Sequence, residues 1–264
     1  MLKILIRGAG DLATGIAYRL YQSGYQVMMT ETAVPTTVRR TVAFSRAVYE
    51  GSCEVEGVTA ELARSFSHAC ELVRHGKIAV LIDEKAEILK SYQPEIVIDA
   101  ILAKHNLGTK IEDAGLVIGV GPGFTAGLDC HAVIETKRGH YLGRVIREGS
   151  AIPNTGIPGD IGGYTTERLI RASASGIFQP IAGIGEVVKK DQTVALVDGT
   201  PVQAQMDGIV RGMLQEGVRV TEGMKAGDID ARCEQAHCFT ISDKARAIGG
   251  GVLEAVVSYE HQCI

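Results

Sequence analysis

An α/β fold is predicted: a Rossmann-like parallel sheet forming the N-terminal domain, then a small all-β barrel-sandwich of lipoyl-like type. Three observations predict it. The chain opens with a strand, a glycine turn and an amphipathic helix. Strand and helix patterns then alternate to about residue 120. From about 178 to 230 only short strands follow, every 8–12 residues, with glycine turns between them.

Residues 2–7 are apolar and β-compatible, and Gly8-Ala9-Gly10 turns the chain. Over 11–23, Leu12, Ile16 and Leu20 recur every four residues beside Ala13 and Ala17, which is one helical face. Gly24 stands just past the helix end, and 25–30 reads as a second strand. The pattern continues with a helix over 61–75, a strand over 77–83, a short helix over 86–91, and strands over 95–102 and 115–120. Such alternation argues for a parallel sheet with helices on its faces. Short strands are read at 131–136 and 140–146, followed by a glycine- and proline-rich connector. A weak repeat relates 185–195 to 216–225, and the tail over 242–259 reads as helical on either side of Gly249-Gly250-Gly251. The expected domains are 1–128, a connecting region 129–176, a β domain 177–235 and a helical tail 236–264.

Composition narrows the classes. The 264 residues are 45% hydrophobic and 22% charged, with a net charge of -4. That is ordinary for a globular protein and leaves no electrostatic footprint for nucleic acid or an anionic membrane. Neither an export signal nor an apolar run of the ~18 residues a span needs is evident, so a cytoplasmic location is expected. The six cysteines then read as reduced thiols. A homodimer is expected by fold analogy alone.

The first candidate site is the glycine turn. Gly8 permits the turn, Gly10 lets the backbone approach a pyrophosphate, and small Ala13 lets the helix pack on the strand. Amides of Asp11 and Leu12 begin the helix, where free N–H groups and the dipole favour an anion. Glu31, 23 residues after Gly8, stands where an acid bonds a ribose hydroxyl. It favours NAD over NADP, although Arg39 and Arg40 offer partners for a 2′-phosphate. Asp11 puts a negative group beside the expected anion and also reads as a helix cap. Gly121, Gly123 and Phe124 end a predicted strand on the side where ligands lie in open α/β sheets.

Candidate catalytic groups are His131, Glu135 and His140. His131 and Glu135 share a strand face about 13 Å apart, too far for one metal ion unless the strand bends. A polar face contacting substrate or a neighbouring domain is the reading they favour. Cys233, His237 and Cys238 resemble a fragment of a zinc site that lacks a fourth ligand at a clear spacing, although Cys263 could supply one, and isolated cysteines are most often small buried residues. No metal is expected. The turn Met206-Asp207-Gly208 lacks the lysine that a lipoyl or biotinyl carrier modifies.

Several segments together resemble one family. They are residues 8–15, Thr30-Glu31 with Pro35 and Arg39-Arg40, residues 121–127, residues 131–140, Lys225-x-Gly227-Asp228-Ile229-Asp230, and residues 242–254. In combination they are similar to the selenium-dependent molybdenum hydroxylase accessory family. Its N-terminal domain is in turn similar to that of xanthine dehydrogenase maturation factors. One departure is Ala231, where proline commonly follows the second aspartate. The resemblance implies a role in maturing such hydroxylases, with a hydroxylase as client protein and a dinucleotide or molybdopterin-type nucleotide cofactor as ligand. The alternatives are a free-standing NAD(P)-dependent oxidoreductase, using His131, His140 or Asp99 to handle a proton, and a non-enzymatic nucleotide or redox sensor.

Overall fold

The computed structural model describes residues 2–156, 159 and 162–262. In chain order the first elements are β1 (Lys3–Arg7), α1 (Asp11–Gln22), β2 (Gln26–Glu31), α2 (Ala47–Glu50), β3 (Ser52–Val55), β4 (Val58–Leu62), α3 (Phe66–Arg74), β5 (Ile78–Ile82), α4 (Leu89–Tyr92), β6 (Ile96–Asp99) and β7 (Leu116–Val120). Then come β8 (Thr125–Ala126), β9 (Ala132–Ile134), β10 (Val145–Ile146), β11 (Gly149–Ser150), β12 (Leu169–Arg171), β13 (Gly176–Pro180), β14 (Val187–Val188) and β15 (Thr193–Val197). The last are β16 (Thr200–Gln203), β17 (Gly208–Met213), β18 (Arg219–Val220), β19 (Lys225–Asp230), α5 (Ala236–Phe239) and α6 (Asp243–Gln262).

The chain forms two compact units. Unit 1 is Met1–Pro35, Ala43–Thr155 and Ile241–Ile264, and unit 2 is Thr36–Val42 and Gly156–Thr240.

Unit 1 is built on a nine-stranded mixed sheet in the order β10-β9-β7-β6-β1-β2-β5-β4-β3. Its seven inner strands are parallel, while β10 and β3 run antiparallel to their neighbours at the two edges. The central strands are buried along nearly their whole length, as in the eBBBB pattern of β1 and the BBBBB pattern of β7. Continuous apolar runs, not alternation, are what a sheet covered on both faces demands. Leu5, Met28, Ala79 and Leu81 join Ala69, Leu72 and Val73 of α3 in one cluster. Val97, Val117 and Val133 join Phe124, Cys130 and Ala151 in another. Strand alternation turns Ile4, Ile6 and Ile134 to the opposite face. There α6 packs against α1, β7, β9 and β10.

Glycines set how closely α6 approaches. A Cβ on Gly15 of α1 would stand 2.6 Å from Ala245 Cβ, and one on Gly249 would stand 2.8 Å from Gly15 O. A Cβ on Gly251 would collide with Gly143 O. The triple glycine is therefore not a break: α6 is one 20-residue helix, and its small residues mark the lines of contact.

Unit 2 consists of two four-stranded antiparallel sheets, β12-β19-β17-β14 and β16-β15-β13-β18. They enclose Phe178, Val194, Val197, Val210, Met213 and Ile229. Buried ions tie the first sheet. Asp228 and Asp230 lie two residues apart on β19 and so share a face. Arg168 donates from Nη2 to both oxygens of Asp228 at 3.0 Å, and Arg232 Nη2 donates to Asp230 Oδ2 at 2.6 Å. Arg211 lies between, 3.8 Å from each carboxylate. Burial pushes the Asp230 carboxyl up, but the hydrogen bonds and charge of Arg232, with Arg211, outweigh it and hold the group at about 2.

This architecture corrects the expected Rossmann-like parallel sheet followed by a lipoyl-like barrel-sandwich. The sheet is mixed, with antiparallel strands at both edges. The crossover after β5 carries only the four-residue α4, the one after β6 a three-residue helical turn, and the one after β7 no helix. The short α4 packs with α3 on the face of Leu5 and Val97, and the opposite face is closed beside α1 by α6, from the far end of the chain. The hairpin of β3 and β4 also stands where the sequence reading placed no strand, and the helix expected from 61 begins at Phe66.

Two predictions follow from this packing. Gly251→Ala should cost about 1–3 kcal/mol through overpacking, whereas Gly250→Ala, with nothing within 4 Å of the new Cβ, should gain up to about 1 kcal/mol from helix propensity. Calorimetric melting of the two variants should therefore shift in opposite directions. Asp230 is depressed in the folded state, so its contribution is full above the unfolded value of about 3.9 and is lost as pH falls toward about 2. Urea unfolding between pH 5 and pH 2 should show this loss, and Asp230→Asn should flatten the slope.

Candidate functional site

The glycine turn is occupied by the protein's own groups. Gly8 holds φ at +94°, and a Cβ there would stand 2.9 Å from Ala100 O and 3.1 Å from Ile101 Cα. Its lack of a side chain admits the 100–101 backbone. Gly10 is the N-cap of α1 and gives it no side-chain cap. Asp11 opens the helix, Leu12 is half-buried and Ala13 is buried against the sheet. Glu31 accepts from Ala9 N at 2.9 Å through Oε2 and from Thr32 N at 2.8 Å through Oε1. The Ala9 amide of the turn is thus held by a carboxylate of the same unit. Burial raises the Glu31 carboxyl above its ordinary range, Glu84 adds to this, and the two amides pull the other way.

The other glycine loop is likewise structural. Gly121 adopts φ +86°, and a Cβ there would stand 2.9 Å from Thr136 Oγ1. One on Gly123 would stand 2.7 Å from His105 Cα. Phe124 is a core residue covering Gly119. Asp99 is buried, accepts from Thr109 Oγ1 at 2.6 Å and pairs with Arg7 at 3.5 Å. Arg39 belongs to unit 2, where it donates to the carbonyls of His237 and Thr240 at 2.8 and 3.1 Å.

The three catalytic candidates separate. His131 precedes β9, and its Nδ1 accepts from Val117 N at 3.0 Å, which spends that nitrogen on the sheet. Burial lowers its pKa. Glu135 follows β9 at the opposite end, where it is buried. Its Oε1 accepts from Lys137 N at 2.7 Å and its Oε2 from Ile152 N at 2.8 Å, so one carboxylate ties two loops. His140 is exposed, and its ring meets Tyr141 edge-on with centroids 5.0 Å apart. Cys233 is exposed and Cys238 buried, with the Cys238 thiol directed at Val210 O. Cys263 lies outside the described residues. Among the described residues no three His, Cys, Asp or Glu side chains gather as a metal would require.

Glu135 is the base of a cavity of about 510 Å³ in unit 1, within the usual size of small-molecule sites. Its walls come from the β9–β10 turn and the strand after it: Tyr141, Arg144, Val145, Ile146, Arg147, Glu148, Ser150 and Ile152. Arg144 lies over the Tyr141 ring, 5.5 Å from its centroid. A guanidinium stacked this way keeps its in-plane N–H groups for a ligand. Arg147 Nη2 donates to Ser258 Oγ of α6 at 3.0 Å. Neither arginine has a carboxylate partner among the described residues.

The wall is held in shape by α6. Arg138 makes two 2.7 Å bonds to Asp243, Gly143 packs on Ala247 and Gly251, and Arg147 bonds Ser258. Gly143 is at φ +82°, and a Cβ there would stand 2.5 Å from Ala247 O. The sequence reading caught Glu135 and His140 here but missed Tyr141, Arg144, Arg147 and Glu148. The available signal was the run 137–147, whose five basic residues Lys137, Arg138, His140, Arg144 and Arg147 surround two turn glycines.

No protein-family model matches the sequence. It is 51% identical over 259 residues to the uncharacterized protein YqeB of Escherichia coli K12, an alignment covering 98% of this chain and 48% of that one. The chain thus spans about half the length of the curated relative it matches. Similar solved structures include an aspartoacylase family protein from Mesorhizobium loti (9% identity, 86% of this chain and 84% of that one, TM-score 0.27). They also include a succinylglutamate desuccinylase/aspartoacylase from Rhodobacter sphaeroides (16%, 86% and 85%, 0.27) and the ectoine utilization protein EutE from Ruegeria pomeroyi (11%, 86% and 84%, 0.26). Superpositions this loose carry no argument about chemistry.

None of these is described as a molybdenum hydroxylase accessory protein, and the family resemblance read from the motifs is not upheld. The expectations built on it are set aside with it: maturation of selenium-dependent hydroxylases, a free-standing NAD(P)-dependent oxidoreductase, and a nucleotide or redox sensor. No helix among the described residues is long and apolar enough to cross a membrane.

The Glu31 carboxyl gives a direct test. The folded state holds its proton more tightly than the unfolded chain, so its contribution to stability is present at low pH and lost as pH rises through the raised value. A carbon-detected NMR titration should place its midpoint above the ordinary glutamate value of about 4.3, and a midpoint at or below that value would contradict the buried geometry.

Proposed function

We propose that the chain binds a small anionic molecule in the cavity walled by the β9–β10 turn. The observation that carries this is the pair of guanidiniums, Arg144 and Arg147, lining one concavity with no ion-pair partner among the described residues. Arginine presents planar, forked donors that match a carboxylate or phosphate. Glu135 also lines the site, but its two oxygens already accept backbone N–H groups. The donors on offer to an incoming group are therefore those of the arginines. Tyr141, Val145 and Ile152 add apolar surface for the rest of the ligand.

The supports are rigid: one wall is stapled to α6 at three points, and the base is tied by Glu135. A site whose donors are held before binding loses less entropy on association. Both arginines are largely exposed, so screening by salt should weaken the interaction.

The test is an NMR titration of the protein with inorganic phosphate and with small carboxylates at low ionic strength. Amides of 141–152 should shift. Arg144→Ala should weaken binding about tenfold, equivalent to about 1.4 kcal/mol, without lowering the melting temperature, and Arg147→Ala should weaken binding while also loosening the wall at Ser258. Shifts confined to other parts of unit 1, or unchanged by both substitutions, would refute the assignment.

A further inference from the structure

The cavity is not uniformly basic. Glu148 stands on the same wall as the two arginines, one residue beyond Arg147. It is exposed and has no ion-pair partner among the described residues. Glu135 lies buried at the base, each oxygen taking one backbone N–H. The lining thus carries two cations and two anions. The same lining holds the Tyr141 ring, 51% exposed, with Val145 and Ile152.

A lining that merely attracted anions would place no free carboxylate beside its guanidiniums, because like charge repels the ligand at close range. A ligand with one acidic and one ammonium group turns that carboxylate from a penalty into a contact. We infer that the site takes a zwitterion of the α-amino acid class with an apolar or aromatic side chain. In this reading its carboxylate meets Arg144 and Arg147, its ammonium meets Glu148, and its side chain lies on Tyr141. The inference rests on the anion reading above and adds the cationic half of the ligand. The stacked Arg144 contributes twice, giving N–H donors in its plane and a fixed orientation to the Tyr141 ring beneath it.

A matched series separates the two readings. Phenylalanine, 3-phenylpropionate and 2-phenylethylamine share the ring and the carbon chain and differ only in which charged groups they bear. Isothermal titration of the full chain should show phenylalanine binding at least tenfold more tightly than either of the others. Glu148→Gln removes one charge from an exposed side chain, so its melting temperature should match that of the unaltered protein. It should bring phenylalanine down to the affinity of 3-phenylpropionate and leave 3-phenylpropionate unweakened. Tyr141→Leu should weaken all three ligands, and Tyr141→Phe none. Equal binding of phenylalanine and 3-phenylpropionate would overturn the zwitterion and leave the anion site standing. Binding of none of the three, with no response to phosphate, would overturn both. A phenylalanine preference that survives Glu148→Gln would overturn the assignment of the ammonium contact.

Discussion

The structure of unit 1 depends on how closely one helix can approach. α6 lies on α1 and on the β9–β10 turn at distances that a single methyl group would forbid at Gly15, Gly143, Gly249 and Gly251. Close-packed interiors respond to a methylene because neighbouring groups have little room to yield. That contact buries one face of a nine-stranded sheet and at the same time fixes the turn bearing Tyr141 and Arg144. Fold and site are consequences of the same packing.

Charge is handled differently in the two units. In unit 2 Arg168, Asp228, Arg211 and Asp230 are buried together, with Arg232 reaching Asp230 from the surface, and each compensates its neighbour. Removing one member would strand the others without water, which is the costly case for buried ions. In unit 1 Arg144, Arg147 and Glu148 on the cavity wall stay exposed to water, with no ion-pair partner among the described residues. The first arrangement specifies a sheet. The second leaves donors and acceptors available to a visitor.

Much of the fold was legible in the sequence, and the failures have identifiable causes. The strands at 3–7, 26–31, 78–82, 96–99 and 116–120 stand out because strands buried on both faces are continuous apolar runs. The hairpin at 52–62 was missed because Glu54, Glu56 and Glu61 interrupt its pattern and because the helical reading of 61–75 overran it. The triple glycine looked like a helix breaker since propensity is local, whereas its purpose lies in a partner far away in sequence. The same limit applied to the site. Gly8, Gly10 and Glu31 form a pattern that suits a phosphate, but whether the amide is free depends on where the Glu31 carboxylate settles. Tyr141, Arg144 and Glu148 converge only once the turn is folded, and no spacing rule announces them.

The order of segments along the chain has a consequence for biosynthesis. Unit 1 is completed by residues that follow unit 2, so the ribosome delivers the whole of the second body before the last helix of the first. Until α6 emerges, the face of the sheet bearing Ile134 lacks its cover, and exposed apolar surface of that kind invites aggregation. The nascent chain therefore passes through a stage in which a finished β unit is tethered to an uncovered sheet. A premature stop between residue 155 and the start of α6 at Asp243 leaves that sheet without its lid.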